Sequence, residues 1–318
     1  MIKNEDADSS VPALNSMRRH LIGTGIVAAS AALVGSGAGA RPVHADRKAR
    51  ATIRTGFFDT GATLRYQLSG TGRTTVVLLH EMGMSLEGWD AVAPSLERHY
   101  SVVRYDLRGF GLSEKIVGSV NFENHVEDLR RLLSEVVQPA GEIILVGAAL
   151  GGAVAIRFAA AHPSEAKAVI ALSPALGVQR SGQQAAFASA DELEKKGVRA
   201  WVTARLGSEE FASIRTNPAQ LARFCGLQFA ADPASWAKNM RMIAAADFTE
   251  TYARVACPTL IVGARAYAGR PPAAFQAAVE KMRNARFESL NTGHFMAFQS
   301  PELVIPLIEN EILRARSI

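Results

Sequence analysis

Cysteine is almost missing: the 318 residues contain two, Cys225 and Cys257. There is no CxxC pair and no Cys/His cluster, so nothing points to a metal site, and no cofactor is expected. The two thiols read either as a disulfide, which export would permit, or as two small buried hydrophobes; the second needs no assumption about distance. A basic face is missing as well. The net charge is +5, yet the only basic cluster is Arg47, Lys48 and Arg50, without interleaved aromatics. Nucleic acid is therefore not an expected partner. After Ala40 no apolar run is long enough to span a bilayer. No internal repeat is present, which leaves solenoids and propellers without support.

What is present begins with a leader. Ser16-Met17-Arg18-Arg19-His20-Leu21 sets an arginine pair before an uncharged stretch, Leu21 to Ala40. Arg41 and a small-x-small pattern, Val43-His44-Ala45, follow. This resembles a twin-arginine (Tat) export signal. It implies a signal peptide over 1–45, the Tat machinery as a partner, and a periplasmic or secreted mature protein. Cleavage after Ala40 and after Ala45 both stay open, as does a start at Met17. An uncleaved leader would anchor the chain, but its five glycines make a poor lipid-facing helix.

The remaining chain alternates buried strands with helices. Ala51–Phe58 and Ala62–Leu68 read as two short strands around a turn at Asp59-Thr60-Gly61. Further strands follow at Thr74–Leu79, Tyr100–Tyr105, Glu142–Val146, Lys167–Leu172, Thr259–Val262 and Arg286–Leu290, the innermost of them with continuous apolar runs. Helical patterns lie over Ser85–His99, Glu123–Val137, Leu150–Ala161, Pro272–Arg283 and Pro301–Arg314. Apolar strands alternating with helices predict an α/β protein with a mostly parallel sheet covered on both faces. The alternation breaks between Pro174 and Cys257. That segment has helical periodicity, spaced Phe/Trp clusters and no clear strand, and reads as a helical insertion.

Four motifs carry chemistry. His80-Glu81-Met82-Gly83 follows a buried strand. Asp106-Leu107-Arg108-Gly109-Phe110-Gly111-Leu112-Ser113 forms a glycine-rich turn. Gly147-Ala148-Ala149-Leu150-Gly151-Gly152 sits at a strand-to-helix junction, and Gly293-His294-Phe295 follows the last strand. In this order and on these elements, they resemble the α/β-hydrolase superfamily: oxyanion loop, DxRGxGxS turn, nucleophile elbow and catalytic histidine. The HEMG loop, Trp89 and Cys257-Pro258-Thr259-Leu260 look most similar to enol-lactonase-like and haloperoxidase-like members. The resemblance implies an α/β-hydrolase fold, with the core over 46–173 and 258–318 and a helical cap over 174–257. It also implies a small-molecule substrate or ligand.

Two departures matter more than the match. The elbow of the family reads G-x-S-x-G, and here its third residue is Ala149, whose methyl group cannot attack a carbonyl. The triad acid is absent too. Its position after the strand Thr259–Val262 reads Gly263-Ala264-Arg265-Ala266, and the alternative reads Ser173-Pro174-Ala175-Leu176. Ala149 and Ala266 are thus inert occupants of the nucleophile and acid positions. His294 is left as the candidate catalytic residue. The oxyanion hole, made of backbone N–H groups, would come from Met82 and Leu150 and does not depend on the residue at 149. Glu81, where the family has glycine, could orient His294, act as a base, or bond to its own loop. Two functions follow. One is a serine-free catalyst that uses His294 as general base on a small carbonyl, ester-like, lactone-like or hydroxyl compound, as cofactor-free lyases and oxygenases of the superfamily do. The other is a pseudohydrolase that keeps the cavity as a receptor. His80 reads as structural, as do Asp106 and Arg108, which are expected to hold their turn through backbone hydrogen bonds; Arg265 and Arg270 read as solvated, with contact to an anionic substrate as the alternative, and His125 and His162 as surface residues.

Overall fold

The structure is a computed structural model that describes residues 53–317. The expected leader over 1–45 lies outside the described residues. Apolar strand residues alternate between two cores. Val77 and Leu79 point into one buried cluster, Val76 and Leu78 into the other. A strand that must bury both faces needs helices on both sides of its sheet.

Eight strands form that sheet: β1 (Arg54–Asp59), β2 (Thr63–Ser69), β3 (Thr75–Leu79), β4 (Ser101–Tyr105), β5 (Ile143–Ala148), β6 (Ala168–Leu172), β7 (Thr259–Ala264) and β8 (Ala285–Leu290). Their spatial order is β1-β2-β4-β3-β5-β6-β7-β8. β1 and β2 form an antiparallel hairpin, β2 runs antiparallel to β4, and every other neighbour pair is parallel. Asp59 Oδ1 accepts the Gly61 N–H at 2.7 Å, which shapes the expected hairpin turn.

Several helices differ from the sequence pattern. Ser85–His99 does not form one helix. A 3-10 turn, Leu86–Trp89, is followed by a single α turn, α1 (Ala93–Leu96). Pro94 has no N–H with which to carry a helix through from Leu86. α2 (Phe122–Arg131) starts on an Asn121–Asn124 capping box, and the six residues after it, Leu132–Val137, continue in the wider π geometry. α3 (Leu150–Ala161) spans the predicted residues and is buried along most of its length.

Between β6 and β7 the described chain is helical: α4 (Arg180–Arg205), α5 (Ala212–Arg215), α6 (Pro218–Phe229), α7 (Pro233–Ala245) and α8 (Thr249–Arg254). Asn217 and Asp232 cap α6 and α7, each followed by proline at the first helical position. α4 breaks at Gly197, where φ is 80°. Its buried face, including Leu193 and Val202, packs along α7 and joins the same apolar cluster as one sheet face. The chain closes with α9 (Pro272–Val279), α10 (Met296–Gln299) and α11 (Pro301–Arg316). No helix among the described residues is long and apolar enough to cross a membrane. Cys225 and Cys257 are both free thiols, half-buried, so the disulfide alternative is not realised.

Candidate functional site

The site is built on the sharp turn from β5 into α3. Ala149 lies there at φ 45° and ψ −106°, a conformation L-residues rarely adopt. Glycines on either side make the turn possible. A Cβ on Gly147 would stand 2.3 Å from the Gly151 carbonyl oxygen, and one on Gly151 would stand 2.3 Å from that of Leu79. Three backbone bonds then hold residue 149 in place. Its N–H donates to Leu172 O at 2.9 Å, and its carbonyl accepts from Ala153 N and Ala175 N at 3.0 and 2.9 Å.

Leu150 is the first residue of α3, so its N–H has no intrahelical acceptor. Met82 stands in the loop after β3, beside Gly83 with φ 77°. Neither N–H meets a protein acceptor among the described residues. Both therefore remain available to an oxygen from outside the chain.

His80 is fully buried, and its tautomer follows from its partners. Nε2 accepts the Leu107 N–H at 2.9 Å, so the proton sits on Nδ1 and is donated to Glu81 O at 2.8 Å. The ring ties the Met82 loop to the glycine-rich turn and takes no part in chemistry. Asp106 holds that turn by accepting from Leu86 N and Leu112 N, and it pairs with Arg65. Arg108 departs from the sequence expectation. It holds no backbone carbonyl of the turn but pairs with Asp128 of α2 at 2.6 Å. His125 departs too: it is completely buried, with Nε2 2.8 Å from Asn239 Oδ1 of α7.

His294 follows β8. Its ring lies over Tyr267 with centroids 4.2 Å apart, and its buried Nδ1 has no partner among the described residues. No carboxylate hydrogen-bonds to it. Burial first, and then the positive charge of Arg270, lower its pKa to about 3. The imidazole is neutral at any ordinary pH. Arg270 is not a freely solvated arginine; its guanidinium donates to the Pro174 and Gly177 carbonyls. Ala266, at the acid position, meets the histidine loop through its backbone, its N–H donating to Thr292 O at 3.2 Å. Arg265 is exposed and reaches Ser289.

Glu81 does not meet His294. It is 3% exposed, and its Oε1 has no partner. Burial raises its pKa to about 7. Between about pH 4.5 and about 7 the folded protein keeps a proton that the unfolded chain has released. Stability therefore falls as pH rises through that window, by about 3 kcal/mol for a shift of this size. Glu81→Gln removes the titration. Urea midpoints of parent and variant, compared at pH 5 and pH 8, should show the variant losing less stability at high pH. Equal losses would mean that Glu81 does not titrate as a buried neutral acid.

A cavity of about 310 Å³ joins these parts. Met82, Ala149 and His294 line it from the core, and Phe211, Phe224 and Trp236 from the inserted helices. Glu210, Arg205 and Gln228 add polar groups from the same segment. Glu81 is not part of the lining. The insertion's polar residues belong to no motif; the spaced Phe/Trp pattern was the only sequence signal that this segment builds a pocket.

A family described as serine aminopeptidase, S33, matches residues 70–289, and the chain belongs to this hydrolase family. The eight-stranded, mostly parallel sheet is the α/β-hydrolase fold. The structure of an enol-lactonase from Burkholderia xenovorans LB400 superposes with a TM-score of 0.74 at 22% identity, covering 80% of this chain and 98% of that one. A thermophilic esterase from Thermogutta terrifontis gives 0.73 at 23%, covering 84% and 99%. In sequence, the chain is 23% identical over 260 residues to a pyrrolizixenacetamide deacetylase of Xenorhabdus hominickii, spanning 79% of this chain and 95% of that protein.

Proposed function

We propose that the cavity takes a small, largely apolar ester-, lactone- or ketone-like compound, or a hydroxyl compound, and acts on it without a serine nucleophile. One observation carries the reading: the unpaired neutral imidazole of His294 and the Met82 loop line one cavity beside the Ala149 methyl group, and the N–H groups of Met82 and Leu150 have no acceptor among the described residues. For an ester, His294 removes a proton from water as the water oxygen bonds to the carbonyl carbon. The carbonyl electron pair moves onto the oxygen held by the Met82 and Leu150 N–H groups. Collapse expels the alkoxide, which takes the proton back from the imidazolium.

Two measurements test this. A fluorophosphonate should leave the intact mass unchanged, because Ala149 has nothing to phosphorylate; a stoichiometric adduct would place a nucleophilic serine elsewhere. Incubation with ester, lactone and enol libraries should then show turnover that His294→Ala abolishes.

A receptor is the second reading, and the low pKa of His294 favours it. General-base efficiency falls as the conjugate acid's pKa drops below the working pH. A compound retained unchanged, with affinity that survives His294→Ala, would identify a binding protein.

A further inference from the structure

The inserted helix α6 places an unusual group over the site. Gln228 is 2% exposed, and its Nε2 has no hydrogen-bond partner. Buried amide hydrogens without an acceptor cost about 1–3 kcal/mol, and folded proteins tolerate few of them. The oxygen of the same amide has a defined place. A Cβ on Gly83 would lie 2.8 Å from Gln228 Oε1 and 2.3 Å from the Trp236 ring. The carboxamide oxygen therefore rests against the loop that carries Met82. The side chain lines the same cavity as Met82, Ala149 and His294.

We propose that Gln228 is a specificity-determining residue whose Nε2–H donates to the carbonyl oxygen of the ligand, beside the Met82 and Leu150 N–H groups. The proposal rests on the reading of this cavity as the ligand site, but not on any turnover there. Three donors around one position select an oxygen that projects from the ligand frame with two lone pairs to offer. An ether oxygen set inside a ring of the same size cannot reach all three. The ligand class is thus carbonyl compounds, and the discrimination comes in part from the inserted segment. Arg205 and Glu210 also line the cavity, but Arg205 is stacked on Trp201 and bonded to its carbonyl, and Glu210 accepts from Ser208. Gln228 is the group of the inserted segment whose donor is both sealed from solvent and unspent.

Cyclohexanone and tetrahydropyran form a suitable pair of probes. Both are six-membered rings, and neither is hydrolysed. Trp201 and Trp236 line the cavity, so their fluorescence reports binding. The parent should prefer cyclohexanone by about tenfold or more, the worth of one or two well-placed hydrogen bonds. Gln228→Met keeps length and apolar contacts but removes the donor. It should bring the two affinities close together while leaving that for tetrahydropyran unchanged, which also reports an intact fold. Gln228→Glu turns a carboxylate toward the ketone oxygen and should push the ketone below the ether. Equal affinities in the parent, no binding of either probe, or an undiminished preference in Gln228→Met would each overturn the proposal. Loss of discrimination in Gln228→Met together with no His294-dependent turnover of esters would leave it standing while removing the catalytic reading.

Discussion

Ala149→Ser should restore almost no ester hydrolysis, whereas Ala149→Ser combined with Ala266→Asp should hydrolyse a small activated ester about ten-thousandfold faster than the single variant. The serine itself fits. Ala149 already carries a Cβ at φ 45° and lines the cavity, so the new hydroxyl adds one atom at a position whose backbone is already set. The obstacle is the base. His294 must accept the serine proton, and the imidazolium that forms is disfavoured by burial and by Arg270, which together hold its pKa near 3. Its unpaired Nδ1 also has no acceptor to fix the tautomer the reaction needs. A carboxylate at 266 would supply both a charge partner and an orienting acceptor, and Arg270 would help keep it ionised. Initial rates on 4-nitrophenyl acetate for the parent, both singles and the double make the comparison. A single variant equal to the double would mean that a resident carboxylate already serves His294. Glu210→Gln and Glu81→Gln in the Ala149→Ser background would then show which.

The second large effect concerns packing. Gly151→Ala should cost roughly 3 kcal/mol or more, a large share of the 5–15 kcal/mol that holds a typical domain together. The added Cβ would fall 2.3 Å from the Leu79 oxygen and 2.6 Å from its carbon. These are backbone atoms of a central strand and cannot swing aside. Gly226→Ala is the matched control. It sits exposed within α6 with nothing within 4 Å of the new methyl, and should stabilise by about 1 kcal/mol through helix propensity alone. Urea midpoints at one pH measure both. A mild Gly151→Ala would mean that α3 can slide away from β3, and the tight elbow would not be needed for folding.

The middle of the sheet was legible because β3, β5, β6 and β7 are buried on both faces, which writes apolar runs such as Thr75–Leu79 into the sequence. The elbow was legible because close backbone approach demands glycine at 147 and 151. The inserted helices were legible only as helices. Which of their residues face the cavity depends on how α4, α6 and α7 pack together, and no local period encodes that. Gln228 and Glu210 were therefore invisible, although they stand beside Met82 and His294. His125 shows the opposite error. A histidine on an amphipathic helix reads as solvent-facing, yet its partner Asn239 lies 114 residues away and satisfies it inside the protein. Arg108 likewise found a side-chain partner on α2 instead of its own turn, because Asp128 is buried beside it.

The bend at the elbow has a consequence for how the site can change. Its shape comes from the glycines on either side and from bonds made by the peptide of residue 149, none of which involves that residue's side chain. The position therefore works as a socket. Whatever small group occupies it is presented to the cavity in the same attitude, so chemistry there is exchangeable without rebuilding the scaffold. Descent from an ancestor with a reactive side chain would need no change of backbone, and neither would the return.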